Sequence, residues 1–302
     1  MSTSIDMVSL LTIIFVMVDD WCINKGQELV QSKPGAKPEF SDSEMLTLML
    51  TQDFVPYPGE TQYVGYIRAN YHGEFPKLVD QSQYNRRARN LGKMVEHLRQ
   101  EWLRALGVNK PNQLLLDTKP VPVLGYKRTK AHSEFAGSAG YGHCAARQLN
   151  YFGYTLVMLT TVDGLPVVYD LVSANTDERS AAEVVLQQVS HCDIFADKGF
   201  IGDDWQADML QQTGNRVWTM KRANQALQNP PEFDRLLGSI RERIEGTFHC
   251  IQNTGRNIER LLAKTVHGLC TRVVLKVTCL VLKRLLRCHF AIDVQSFELL
   301  SI

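Results

Sequence analysis

Three acidic side chains have types and positions that could support metal-dependent chemistry. Asp117 follows the apolar run 113–116, and Asp197 follows a similar run, 194–196. Glu245 lies in a later segment with helical periodicity. Carboxylates that converge in a partly desolvated site repel one another unless a cation compensates them. Oxygen ligands favour Mg²⁺ or Mn²⁺, and two such ions can activate an attacking oxygen and stabilise a leaving one in phosphodiester displacement.

Each of these acids also has a simpler structural explanation. Asp117 could cap a turn before Pro120, and Asp197 could open an Asp-Lys-Gly turn. Glu245 could pair with Arg241 one helical turn earlier. Spacing alone leaves both interpretations open. Two rival acids are weaker candidates, because Asp170 lies inside a predicted strand and Asp177 can cap a helix.

The elements around the acids predict an α/β fold. A strand that ends at Asp117 comes first, because Pro120 and Pro122 follow it. The runs 151–162 and 166–172, joined by Asp163-Gly164, predict a hairpin. A helix, a strand ending at Asp197, a helix, a strand and a long helical region then follow. This is the order of an RNase H-like mixed sheet flanked by helices, in which the first and fourth strands are neighbours and their terminal acids meet.

The helix that carries Glu245 is predicted to pack on that sheet. Apolar side chains recur every three or four residues on one face: Leu237, Ile240, Ile244, Phe248 and Ile251. Arg241 and Glu245 occupy an adjoining face, so Glu245 can lean towards the two aspartates.

Residues 1–107 predict an all-α N-terminal region, and residues 108–302 a second domain with a basic helical C-terminal segment. Ser41 and Glu44 form a capping-box pattern. A second helix near Ser82 has a basic stripe opposite its apolar face, formed by Arg86, Arg89 and Lys93. This stripe is either a solvated surface or a DNA contact in a helix-turn-helix-like module.

Two further basic groups could bind phosphates. Lys127, Arg128 and Lys130 follow Asp117 closely, where a DNA strand entering the site would need partners. Arg272, Lys276, Lys283 and Arg287 recur at helical spacing and predict a cationic stripe beside an apolar face. For both groups a solvated surface is the alternative.

Composition bounds the class of protein. With 302 residues, 44% hydrophobic residues and a net charge of +1, the chain is globular and not disordered. Seven scattered cysteines without paired spacing exclude a disulfide scaffold or zinc ribbon. The apolar run Met7 to Val18 is too short to span a bilayer and predicts a buried helix. We therefore expect a cytoplasmic protein without a membrane partner.

Several segments resemble prokaryotic insertion-sequence transposases of the DDE class, most closely the insertion-sequence family numbered nine-eighty-two. They are LLDTKPVPV (115–123), GYGHCA (140–145), YFGY (151–154), DGLPV (163–167), ADKGFIG (196–202) and RERIEGTF (241–248). The resemblance extends over most of residues 40–255, including the Ser-Asp-Ser-Glu helix start.

This resemblance implies that Asp117, Asp197 and Glu245 are the catalytic metal ligands, with two Mg²⁺ or Mn²⁺ ions as cofactor. It implies double-stranded DNA as partner, both the terminal inverted repeats of a mobile element and target DNA. It implies that residues 1–107 bind the DNA ends and that residues 108–302 form an RNase H-like DDE catalytic domain. Arg241 joins the expected DNA contacts. A homo-oligomer that synapses two ends and association with the nucleoid are also expected. The alternatives are an RNase H-like nuclease without strand transfer, and an inactive DNA-binding protein derived from a transposase.

Overall fold

The computed structural model describes residues 5–26, 38–127, 131–144, 148–221, 228–253 and 255–294, apart from the side chains of Arg241, Ile244 and Asn253. The chain forms two compact units. The first, the helical unit, comprises Met1–Gly107 and Ile251–Ile302, and the second, the sheet unit, comprises Val108–Cys250.

The main elements follow in chain order. They are α1 (Met7–Asn24), α2 (Asp42–Thr51), α3 (Glu60–Asn70), α4 (Gln81–Ala105), β1 (Gln113–Leu124), β2 (Gly140–Cys144), β3 (Leu149–Thr161), β4 (Pro166–Ser173), α5 (Glu178–Leu186), β5 (Asp193–Ala196), α6 (Asp203–Thr213), β6 (Arg216–Thr219), α7 (Pro231–Asn253) and α8 (Val266–Phe290).

In the helical unit, local sequence signals start the helices as predicted. The Ser41 side chain accepts a hydrogen bond from the Glu44 N–H, and the Glu44 carboxylate accepts one from the Ser41 N–H, which completes the capping box of α2. Asp80 caps α4 through the Gln83 N–H. Because these caps satisfy N–H groups that have no partner inside the helix, they fix where each helix begins.

The last segment of the chain packs differently from the prediction. The sequence predicts a second domain from 108 to 302, but residues 251–302 group with the helical unit. The reason is α8, which packs along α4. Gly92 of α4 faces α8 at this contact, where a Cβ would lie 3.4 Å from the Thr271 hydroxyl, an ordinary packing distance.

Helix α1 is longer than the apolar run that predicts it, because it continues beyond Val18 to Asn24. Of the described helices, it alone is long and apolar enough to cross a membrane by length and composition. It has a buried face that includes Leu10, Ile14 and Val18, and it packs against α2. The predicted buried helix is thus buried on one face only, and Val8, Val16 and Ile23 are exposed.

The sheet unit contains a six-stranded mixed sheet in the order β2-β3-β1-β5-β6, with β4 paired to β3. Strands β1, β5 and β6 are parallel, and β3 runs antiparallel to β1. Helices α5 and α6 cover one face, where Leu114, Leu116, Val157 and Ile194 are buried. The predicted α/β architecture of a mixed sheet flanked by helices is confirmed.

Strand β1 does not end at Asp117 as predicted. It continues to Leu124, paired with β3, through Pro120 and Pro122. The β1–β5 pairing ends at Leu116, so beyond that residue this edge of β1 is unpaired. A proline has no N–H, but at an unpaired edge its absence removes no hydrogen bond from the sheet. Strand β2, in a glycine-rich run, pairs antiparallel with β3.

Candidate functional site

Asp117 and Asp197 occupy equivalent places on adjacent strands. The last paired residues of the parallel β1–β5 ladder are Leu116 and Ala196, and each aspartate comes directly after them. Asp197 keeps an extended backbone, with φ −73° and ψ 171°. Neighbouring strands lie about 4.8 Å apart, so the register brings the two aspartates together at the carboxyl end of the ladder.

Asp117 is on the sheet face opposite α5 and α6. Side chains alternate between the two faces of a sheet along each strand. Leu114 and Leu116 face α5 and α6, so Asp117, one position later, faces the other way. Phe233 of α7 contacts Trp218 of β6. Trp218 is paired with Phe195, whose neighbour Ile194 faces α5 and α6, so Phe195 and Trp218 are on the other face. Helix α7 therefore packs on the same side as Asp117, which places both on one face of the sheet.

Each aspartate is half-buried and oriented by the backbone. The Thr118 N–H donates to Asp117 Oδ1 at 2.7 Å, and the Lys198 N–H donates to Asp197 Oδ1 at 2.6 Å. These bonds hold each carboxylate in place beside the ladder. A pair of fixed, partly desolvated carboxylates is a site of concentrated negative potential.

Glu178 is a further acid, beside Asp197, that the sequence interpretation missed. A Cβ on Gly199, two residues after Asp197, would lie 2.1 Å from Glu178 Oε2, so this glycine makes room for the carboxylate. Burial, then the charges of Asp197 and Asp177, raise the pKa of Glu178. In the sequence it is only the first residue of α5, where an acid is normally a helix-terminus charge.

Glu245 is not assembled with the aspartates. It is exposed on α7, and Thr247, two residues later, packs against Gly164 in the β3–β4 turn. That turn follows Thr161, which pairs with Leu114 at the start of β1 and not with Asp117. Among the described residues, no group of three or more His, Cys, Asp or Glu side chains could hold a metal ion. The predicted convergence of three acids is therefore absent from this structure.

The two rival acids have the structural surroundings that the sequence predicts. Asp170 lies within β4, and its Oδ1 accepts from the Leu171 N–H. Asp177 is the N-cap of α5 and accepts from the Arg179 N–H. Neither follows a strand at the carboxyl end of the β1–β5 ladder.

Part of the predicted basic surface is accessible. Arg86 and Lys93 of α4 are exposed, and Arg89 is half-buried. Lys127 is exposed after β1, whereas Arg128 and Lys130 lie outside the described residues, as does the side chain of Arg241.

The prediction that the four cations of α8 form an exposed stripe is wrong. Lys276 and Lys283 are buried and lie 2.9 and 3.2 Å from the carboxylate oxygens of Asp53, itself 1% exposed. Arg272 forms an ion pair with Glu60 at 2.6 Å. Arg287 is exposed, 3.9 Å from Asp293. The periodicity is real, but three of the four cations point into the helical unit because acids on other elements neutralise them there.

Comparisons with known proteins identify the family. The family described as "Transposase DDE domain" matches residues 109–282. That range begins just before β1 and includes both aspartates. None of the curated proteins matches. A solved structure, the "Mos1 transposase paired-end complex with left transposon end", aligns over 80% of this chain and 88% of that chain at 14% identity. Its TM-score of 0.23 is too low to carry a structural argument.

The match over more than half of the chain settles the class: this protein belongs to the transposase DDE domain family.

Proposed function

We propose that this transposase cuts DNA at the inverted-repeat ends of an insertion sequence and joins the freed 3′-hydroxyl to target DNA. In the joining step the 3′-oxygen forms a bond to a target phosphorus, and the bond from that phosphorus to the target 3′-oxygen breaks, so no outside energy source is consumed. The observation that carries the proposal is that Asp117 and Asp197 each directly follow the last residue pair of the parallel β1–β5 ladder.

The aspartate pair fits the divalent metal that the family implies. Mg²⁺ is typically held by one or two carboxylates together with substrate phosphates, and Asp117 and Asp197 supply two oriented carboxylates. Burial first, and then the charges of Asp197 and Asp177, raise the pKa of Glu178, and a cation held by Asp197 would offset the repulsion between these carboxylates. When bound, one or two Mg²⁺ or Mn²⁺ ions would activate the attacking oxygen and stabilise the leaving oxygen.

The protein residues have separate proposed roles. Asp117 and Asp197 hold the cofactor, and the backbone N–H groups of Thr118 and Lys198 keep their carboxylates oriented. Glu245 is the third acid that the resemblance implies, on the helix that packs over the same sheet face. Its participation requires α7 to bring it nearer the pair than it is in this structure.

DNA binding is proposed for the exposed basic residues. Arg86, Arg89 and Lys93 would contact the terminal repeats, and Lys127, with Arg128, Lys130 and Arg241, would contact the strand at the site. The α8 stripe is not part of this proposal. We further propose a homo-oligomer that synapses two ends, in the cytoplasm of a prokaryote.

The experiment is a strand-transfer assay with the full chain, DNA carrying the flanking terminal repeats, and Mg²⁺. Asp117→Asn and Asp197→Asn should each abolish cleavage and joining while repeat binding in a gel shift stays near wild type. Asp170→Asn is the matched control and should retain activity. Activity of either site variant within about threefold of wild type, which is under 1 kcal/mol of barrier, would overturn the proposal. Cleavage without joining would identify a nuclease.

A catalytically inactive, DNA-binding derivative is the second candidate. The observation that favours it is the absence of a three-acid group among the described residues. Glu245→Gln separates the candidates when it is compared with Glu242→Gln, a neighbouring exposed acid on α7. Loss of joining only in Glu245→Gln supports an active enzyme with Glu245 as third acid, whereas repeat binding without any chemistry in the wild-type chain supports the derivative.

A further inference from the structure

Two tyrosines form an exposed aromatic surface in the sheet unit. Tyr126 follows β1, and Tyr141 is in β2, at the edge of the sheet. Their ring centroids are 5.5 Å apart, with an angle of 81° between the ring planes. Tyr126 is 48% exposed and Tyr141 is 54% exposed, so about half of each side chain is accessible to a ligand. We call this pair the tyrosine shelf.

The sheet fixes the position of the tyrosine shelf. Tyr141 is paired with Phe152 in the β2–β3 ladder, and their ring centroids are 5.0 Å apart. Phe152 is 4% exposed, so the shelf stands on a buried aromatic ring. An aromatic side chain that packing already holds loses little conformational freedom when a ligand contacts it, which favours binding.

Tyr141 and Asp117 are on the same face of the sheet. Asp117 is paired with Met158 of β3. Phe152, six residues earlier on that strand, faces the same way as Met158, because side chains alternate between the faces with a period of two. Tyr141 shares this face as the direct partner of Phe152. At about 3.4 Å per residue, the tyrosine shelf lies roughly 20 Å from Asp117 along β3.

The charge around the tyrosine shelf favours a polyanion. Lys127 is exposed and adjoins the shelf in sequence, and Lys119 lies on β1 between Asp117 and the shelf. The neighbouring loop 131–139 adds one exposed acid, Glu134. The strand segments between Asp117 and the shelf contain no Asp or Glu: residues 118–127, 140–144 and 148–157. Positive charge therefore exceeds negative charge here, which suits contacts to phosphates.

Unpaired bases of a DNA strand are the ligand that matches these features. Every base has a π face that stacks on an aromatic ring, and sites for single strands combine such rings with cations that contact the phosphates. In a duplex the base faces are covered by the neighbouring base pairs. Duplex DNA would therefore offer the tyrosine shelf only its grooves and phosphates.

We propose that the tyrosine shelf binds unpaired bases of a DNA strand by stacking, with Lys127 as a phosphate contact beside it. The inference rests on the proposed function, because that function makes DNA the nucleic acid present at this face of the sheet. The shelf holds the strand without reading its sequence, since stacking accepts every base.

The test is fluorescence anisotropy of the full-length protein with a labelled oligothymidine of about 20 nucleotides, long enough for a single-strand site. The buffer contains EDTA, so that no DNA is cut. A random duplex of the same length is measured in parallel at the same salt concentration. Oligothymidine has unpaired bases throughout, whereas the duplex has none.

Tyr141→Ala and Tyr126→Ala should each weaken oligothymidine binding about fivefold or more, the effect of removing one ring from a base stack. Tyr141→Phe keeps the ring and should bind within about twofold of wild type. Affinity for the duplex should stay within about twofold in all three variants. Because Tyr126 lies outside the strands, Tyr126→Ala tests the shelf even if Tyr141→Ala fails to fold.

Phe290→Ala is the matched control. Phe290 is an aromatic residue of similar exposure, 43%, at the end of α8 in the helical unit. This variant should leave oligothymidine affinity unchanged. Unchanged affinity in both tyrosine-to-alanine variants, or an equal loss for the duplex and the single strand, would overturn the shelf as a site for unpaired bases.

Photocrosslinking locates the contact directly. An oligonucleotide that carries 5-iodouracil should crosslink on irradiation to Tyr126 or Tyr141, as mapped by mass spectrometry of the digested protein. Crosslinks confined to other residues would overturn the proposal. So would an oligomer that dissociates in Tyr141→Ala without any change in oligothymidine affinity, because that result would assign the shelf to a protein contact.

These measurements separate the tyrosine shelf from the proposed function, because they record binding without chemistry. Loss of the shelf's effect on oligothymidine binding, with strand transfer intact, would refute only the shelf. Oligothymidine binding that depends on Tyr141, in a chain that neither cuts nor joins DNA when Mg²⁺ is supplied, would refute only the proposed function.

Discussion

The buried ion cluster of the helical unit offers a direct test of how α8 is held. Asp53 is 1% exposed and receives Lys276 Nζ at 2.9 Å and Lys283 Nζ at 3.2 Å, from two turns of α8. Asp53→Asn preserves the shape and an acceptor oxygen but removes the charge. Removing one partner of a buried pair costs about 3–5 kcal/mol, because it leaves an uncompensated buried charge.

Hydrogen exchange under native conditions is a suitable assay, because it reports each unit separately. Amides of α8 should lose about 3–5 kcal/mol of protection in Asp53→Asn, while those of β3 should keep theirs. In urea, the midpoint for the helical unit should fall by about 2 M. Asp20→Asn, an exposed acid on α1, is the matched control and should change protection by less than about 0.5 kcal/mol.

The pH dependence has a definite sign. Burial lowers the pKa of Lys276, and the charge of Asp53 opposes that shift. A lysine whose folded pKa lies below its unfolded value of about 10.4 binds more protons when unfolded, so stability rises with pH between the two values. Without the Asp53 charge, the pKa of Lys276 in the folded protein falls further. The pH range over which stability rises therefore extends to lower pH. The loss in Asp53→Asn should therefore be smaller near about pH 9 than at about pH 7.

Two results would refute this reasoning. One is a loss no larger than that of Asp20→Asn. The other concerns the triple variant Asp53→Asn, Lys276→Met and Lys283→Met. This variant should recover most of the stability lost in Asp53→Asn, because replacing a whole buried ionic group by apolar side chains is often neutral. A triple variant as unstable as Asp53→Asn would show that charge is not the cause.

Three further predictions concern the two units. Gly153→Ala should destabilise the sheet unit by about 1–3 kcal/mol in thermal unfolding, since its Cβ would lie 2.2 Å from the Val121 carbonyl oxygen, whereas Gly246→Ala, with nothing within 4 Å, should stabilise α7 by up to about 1 kcal/mol. Exposed Cys270 should react with iodoacetamide long before Cys279, since burial raises the pKa of Cys279 to about 12; equal labelling by mass spectrometry would contradict this. A fragment of residues 1–107 should lack cooperative unfolding by circular dichroism until residues 251–294 are supplied, because α8 packs along α4.

Local signals in the sequence were sufficient to predict several turns and helix starts. The capping box at Ser41, the Asp163-Gly164 turn and the helix cap at Asp177 all act within a few residues, and the structure confirms them. The neighbouring places of Asp117 and Asp197 follow from the order of strands, because that order determines which strand ends are adjacent.

The features that the sequence did not predict depend on partners that are distant in the chain. The burial of Lys276 and Lys283 depends on Asp53, more than 200 positions earlier, and no periodicity of α8 contains that information. The continuation of β1 through its prolines depends on which edge is paired. Glu178 became a candidate only when its contact with Gly199 was visible.

The central claim is that Asp117 and Asp197 hold one metal site, and affinity cleavage by iron tests it most directly. Fe²⁺ in place of Mg²⁺, with ascorbate and peroxide, cuts a polypeptide next to where the metal is bound. We predict cuts near residues 117 and 197 in the same preparation, competed by Mg²⁺, lost together in Asp117→Asn and unchanged in Asp170→Asn. Cuts that persist in Asp117→Asn, or that map away from both strand ends, would contradict the account.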